Sequence, residues 1–172
     1  MKKSLVLFCF IFLIASTGKS QTVSAQYQEL LKKVTLNIQH KTPAGRLIEF
    51  AKTMIGVPYR YASNNPALGF DCSGFVNYVF SNFGFKVPRS SRDFASSGET
   101  KKLEDAKIGD VILFTGTNSR VRTPGHVGII YAIDGDQVKF IHSSSGHSKG
   151  VTISSLDEGF YKKRFIKVVS IL

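Results

Sequence analysis

Two residue types in this chain could do covalent chemistry together. The thiols are Cys9 and Cys72, and the imidazoles are His40, His126, His142 and His147. A thiol with a base in reach attacks carbonyl carbons, and such a base is usually oriented by a third polar group. His126 opens the run His126-Val127-Gly128-Ile129-Ile130-Tyr131, and His142 closes the run Val138-Lys139-Phe140-Ile141-His142. Positions 126 and 142 are equidistant from Asp134, in the turn signal Asp134-Gly135. A two-residue turn there would pair His142 with Val127 and put His126 on the other face. A three-residue loop or one bulge would put both histidines on one face. The residues allow either. Each histidine alone also fits a polar strand end, His40 has no evident partner, and His147 lies in a Ser/Gly-rich turn that reads as exposed.

The elements that must position these groups are legible from spacing. Thr42-Pro43 is a helix start, Thr as N-cap and Pro at the first helical position. Leu47, Ile48, Ala51, Met54 and Ile55 then recur at helical spacing until Gly56 and Pro58. After a loop through Asn64-Asn65-Pro66, the stripe Phe75, Val76, Val79, Phe80 makes a second helix with Cys72 at its start. Unpaired N–H groups and the positive dipole end should stabilise a thiolate there, lowering a free pKa of about 8.5. A buried, inert cysteine is the alternative. A short helix is expected near Arg92 to Ser96. Beyond it the period changes to strands at Val111–Phe114, His126–Ala132, Gln137–His142, Val151–Ser154 and Phe165–Leu172. Helices followed by antiparallel strands make an α+β domain.

The start of the chain reads differently. Met1-Lys2-Lys3, an apolar run from Ser4 to Ala15 and a small polar stretch to Ser20 make a signal peptide, cleaved after Ser20 or Ala25. The run is shorter than the about 20 residues that span a bilayer, so no stable membrane anchor is expected. Residues 1–20 are thus assigned as signal peptide, 21–42 as a loose lead-in and 43–172 as the functional domain, exported to periplasm or exterior. Cleavage removes Cys9, leaving Cys72 as a lone thiol that cannot form an internal disulfide. The formal charge falls from +11 to +8, since three lysines and no acid leave. Such a balance suits an anionic neighbourhood, and export argues for wall polymer over nucleic acid. No Cys/His cluster has metal-ligand spacing, so neither metal nor cofactor is expected, and the domain is expected to be a monomer.

Phe70-Asp71-Cys72-Ser73-Gly74-Phe75 resembles the nucleophile motif of the NlpC/P60 peptidases. Gly125-His126-Val127-Gly128-Ile129 and Phe140-Ile141-His142-Ser143 resemble the family's two histidine strands. Gly56-Val57-Pro58-Tyr59-Arg60-Tyr61, Val87-Pro88-Arg89-Ser90 and Ile108-Gly109-Asp110-Val111 are similar to its connecting motifs. The resemblance covers roughly 44–172. It implies a papain-like fold and cleavage of peptidoglycan stem peptides, commonly between γ-D-glutamate and the diamino acid. Cys72 would be nucleophile, His126 base and His142 orienter. Tyr59 would lie by the thiol and help the Cys72 N–H hold the oxyanion. Asp71 and Ser73 match positions that in some members hold the stem peptide's free amine, and Ser90 falls in the Pro-Arg-Ser segment. Plainer roles are also open: loop packing for Tyr59, helix capping for Asp71, and an N-cap for Ser90. The chain departs from the family at Ala62-Ser63, where relatives often have Gly-Gly. A thiol acyltransferase on the same scaffold and a catalytically idle wall-binding module are the rival readings.

Overall fold

Five successive residues of one strand, Val111 to Thr115, are all buried, which requires that both faces of their sheet be covered. The computed structural model describes residues 25–172 and shows what covers them. The expected signal peptide lies outside the described residues. The lead-in is helical: α1 spans Ala25–Lys41, with Leu30, Leu31 and Val34 exposed. α2 spans Pro43–Lys52 and begins as its sequence requires, the Thr42 hydroxyl accepting from the Gly45 N–H at 2.9 Å. A two-residue ribbon follows, β1 (Asn64–Asn65) against β2 (Gly69–Phe70), and then α3 (Cys72–Ser81).

After a 3-10 turn at Asp93–Ser96 come β3 (Glu99–Lys101), β4 (Val111–Thr115), β5 (Pro124–Asp134), β6 (Gln137–Ser144), β7 (Gly150–Ser155), α4 (Gly159–Lys162) and β8 (Phe165–Ser170). The six long-range strands form one antiparallel sheet in the order β3-β8-β4-β5-β6-β7. Alternation sorts its side chains. Val111, Leu113, Val127, Ile129, Ile141 and Val169 meet Leu47, Ala51, Phe75, Val76 and Val79 of α2 and α3. Ile112, Phe114, Ile130, Phe140 and Val168 face the other way, onto Leu156 and Tyr161. Each fully buried Leu, Ile or Phe contributes about 1.5–3 kcal/mol. The result is an α+β domain with its helices on an antiparallel sheet.

The register between β5 and β6 decides the site. The turn falls one residue later than the Asp134-Gly135 signal: Asp134 pairs with Gln137, and the two-residue loop is Gly135-Asp136, with Gly135 at φ +55°. A bulge at Tyr131 then shifts the pairing, so that Ile129 faces Ile141. Continuing that register puts Gly128 opposite His142. A Cβ at Gly128 would stand 2.8 Å from the Phe140 ring and 3.2 Å from the His142 Cβ, so only glycine leaves room for both rings. One bulge restores the parity and sets His126 and His142 on the same face.

Candidate active site

Cys72 is the first residue of α3 and Asp71 is its N-cap. The Asp71 Oδ1 accepts from the Gly74 N–H at 2.7 Å, from the Ser73 hydroxyl at 3.1 Å and from Arg89 Nη1 at 3.0 Å. Its Oδ2 accepts from Arg89 Nη2 at 2.5 Å. Asp71 and Ser73 are buried. The next residue, Gly74, lets the Ser63 carbonyl come close, since a Cβ there would lie 2.1 Å from that oxygen. The Asp-Cys-Ser-Gly run thus locks the start of α3, and with it the sulfur. Asp71 and Ser73 do not reach the cleft that holds Cys72. Their polar atoms bond to the cap and to Arg89. Arg89 was the informative residue of the Pro-Arg-Ser segment, and its pairing across 18 positions leaves no local signal in the sequence.

The sulfur stands beside the backbone N–H groups of Val127, Ser73 and Cys72, which favour the thiolate. Burial outweighs them and, with the nearby Asp71 charge, pushes the Cys72 thiol up. Desolvation thus opposes the lowering expected from the helix start alone. His126 and His142 share the sheet face of Phe140 and Tyr161, whereas α3 packs on the opposite face. Thiol and imidazole both line the cleft near the start of β5, where the Val127 N–H also serves the sulfur. His126 Nε2 lies 2.9 Å from His142 Nδ1, with the two rings nearly perpendicular. Nδ1 of His126 is the ring nitrogen outside this contact. Burial pushes His126 down to about 4. His142 is fully buried and held well below the ordinary imidazole range, by burial first and by His126 second. Both shifts act in the direction of a neutral thiol beside a neutral imidazole.

Tyr59 is half-buried beside Cys72, its N–H donating to the Lys149 carbonyl at 2.8 Å. Burial, then the neighbouring Cys72 and Asp71, push its hydroxyl up, so it stays a proton donor. Ser90 is exposed and outside this cleft. It lines an adjoining depression with Arg92 and Asn118, and its Oγ accepts from the Arg92 N–H at 3.3 Å. The cleft itself has a volume of about 600 Å³. Its floor holds Tyr59, Cys72 and His126, and its walls are the serine-rich loop Ser144–Ser148 and the segment around α4, Glu158 to Arg164. His147 is exposed on that loop. Two polar partners of His142 were missed from sequence: Ser154 on β7, whose Oγ is 3.1 Å from His142 Nε2, and Tyr161 on α4. Neither sits in a motif, and only the sheet register brings them there.

Known proteins resemble this chain in sequence and in fold. The model of the NlpC/P60 family matches residues 56–170. A gamma-DL-glutamyl hydrolase of Bacillus subtilis (strain 168) is 39% identical over 69% of this chain, which spans only 27% of that relative. The murein DD-endopeptidase MepS/murein LD-carboxypeptidase of Escherichia coli (strain K12) is 33% identical over 88% of this chain and 71% of its own length. Among solved structures, an NlpC/P60 family protein from Bacillus cereus ATCC 10987 superposes with a TM-score of 0.67 at 29% identity, covering 76% of this chain and 41% of that one. With its family motifs placed in this geometry, the chain belongs to the NlpC/P60 family.

Proposed function

We propose that this protein is an exported cysteine peptidase that hydrolyses stem peptides of peptidoglycan, in the periplasm or outside the cell. The observation that carries the reading is the helix-start thiol in one cleft with His126, which is paired at 2.9 Å to the buried His142. The names of the relatives support the substrate: one is called a gamma-DL-glutamyl hydrolase and another a murein DD-endopeptidase/murein LD-carboxypeptidase. Among the described residues no helix is long and apolar enough to cross a membrane. In the domain plan we propose, 1–20 is signal peptide and 43–172 the catalytic unit.

The chemistry follows from the neutral pair. His126 Nδ1 takes the Cys72 proton as the sulfur attacks the amide carbonyl. The Cys72 N–H and the Tyr59 hydroxyl donate to the oxyanion. His126 then protonates the leaving nitrogen, the C–N bond breaks, and a thioester on Cys72 remains. Water, deprotonated by His126, hydrolyses the thioester and restores the thiol. We place the cut at the γ-D-glutamyl–diamino acid bond. A second reading, a DD-bond between cross-linked stems, is favoured by the relative that this chain matches over most of its length. Mass spectrometry of fragments from defined, cross-linked muropeptides separates the two. A new γ-D-glutamyl carboxylate supports the first reading and resolved cross-links support the second. No new amine from either would defeat the hydrolase reading.

A further inference from the structure

We propose that Ser154 and Tyr161 are positioning residues that set the tautomer of His142, and through it the ability of His126 to accept the Cys72 proton. This rests on the hydrolase reading above. The physical problem is one of direction. A neutral imidazole carries one N–H and one lone pair. His142 has a partner at each nitrogen: His126 Nε2 at 2.9 Å from Nδ1, and Ser154 Oγ at 3.1 Å from Nε2. Two hydrogen-bond orders satisfy every group. In the first, His126 Nε2–H donates to His142 Nδ1, and His142 Nε2–H donates to Ser154 Oγ. His126 Nδ1 is then an open lone pair, able to take the thiol's proton. In the second, Ser154 donates to His142 Nε2 and His142 Nδ1–H donates to His126. The His126 proton must then sit on Nδ1, where it blocks proton transfer from Cys72.

The two orders are nearly equivalent at the histidines, so the choice is made at the far end of the chain. Ser154 can accept from His142 only if its own hydrogen has another acceptor. Tyr161 is placed to supply one, both Ser154 and Ser144 acting as hydrogen-bond neighbours of its hydroxyl. The Tyr161 oxygen is also 3.5 Å from His142 Nε2, too far to displace the serine at 3.1 Å. Ser144 is half-exposed and lines the cleft, where its last hydrogen meets solvent. The first order then continues outward through His126, His142, Ser154, Tyr161 and Ser144. When His126 becomes an imidazolium during attack, both of its nitrogens carry hydrogen, and only this outward order leaves it an acceptor. Packing fixes the same geometry. The Tyr161 ring meets His142 edge-on at 5.4 Å and Phe140 at 4.9 Å.

The test is made on the full chain as exported, with imidazole nitrogens labelled by 15N. Nuclear magnetic resonance should show His126 and His142 each protonated on Nε2. Ser154→Ala should move His142 toward the Nδ1–H form and lower kcat on a muropeptide about tenfold or more, with KM unchanged. Ser154→Thr, which keeps the hydroxyl, should restore both readouts. Tyr161→Phe should shift the tautomer in the same direction as Ser154→Ala. Wild-type tautomers in Ser154→Ala, or a kcat loss that Thr does not rescue, would overturn the inference. Should the wild-type protein cut no muropeptide, the hydrolase reading fails, yet the tautomer measurement still decides this one.

Discussion

A neutral resting pair makes a sharp demand on the pH dependence of both the thiol and the rate. His126, at about 4, stays neutral as pH falls through the range where an ordinary imidazole charges. At pH 5 it is roughly nine-tenths neutral, whereas an imidazole with the ordinary value of about 6.5 would be only about 3% neutral. kcat/KM should therefore stay almost flat from pH 7.5 to 5 and fall below that. An unshifted base would lose about 30-fold over the same span. An acid limb near 4 also fits an ion pair, because coupled groups titrate together, so the thiol must be read directly. Even at a free pKa of about 8.5, only about one thiol in thirty ionises at pH 7, and burial pushes Cys72 higher. Ultraviolet thiolate absorbance, with Cys72→Ala as blank, should be near zero from pH 5 to 7 and appear only in alkali. A full thiolate signal at neutral pH, or a 30-fold loss of kcat/KM by pH 5, would refute the neutral pair.

Three other outcomes follow from particular contacts. His142→Asn should retain a measurable rate, because an amide oxygen can accept the His126 Nε2–H, while His142→Ala should be far slower; equal losses in steady-state kinetics would remove the orienting role. Arg89→Ala should destabilise the fold by about 1–3 kcal/mol, since it strips the fork from the buried Asp71 carboxylate at the start of α3. Urea unfolding measures it, and an unchanged midpoint would show that the pair holds nothing. Ala62 sits at φ +57°, where a side chain costs about 1–2 kcal/mol. Ala62→Gly should recover part of that, and a lower melting temperature would contradict the strain.

Much of the fold was legible because burial imposes periods. The helix from Thr42-Pro43, the Cys72 helix and five strands were each marked by apolar spacing and by caps or turns. What was not legible depends on distant parts of the chain. β3 is a short polar edge strand that exists only because β8 offers a partner. The bulge at Tyr131 has no local sign, yet it decides which face His126 shares with His142. Ala62-Ser63 in place of Gly-Gly keeps the tight turn at the cost of a left-handed alanine. The site divides the same way. Cys72, His126 and His142 announced themselves by type and spacing and lie together. Asp71 and Ser73 belong to a cap completed by Arg89, and Ser154 and Tyr161 enter only through the third dimension.

The most direct test of the central claim compares wild-type protein with Cys72→Ala and Cys72→Ser on purified sacculi, counting new amino groups, with circular dichroism to confirm folding. The wild-type chain should release amines steadily, and both variants should fall to background with unchanged spectra, since no other thiol is free among the described residues. Amine release at the wild-type rate by either folded variant would show that Cys72 is not the nucleophile.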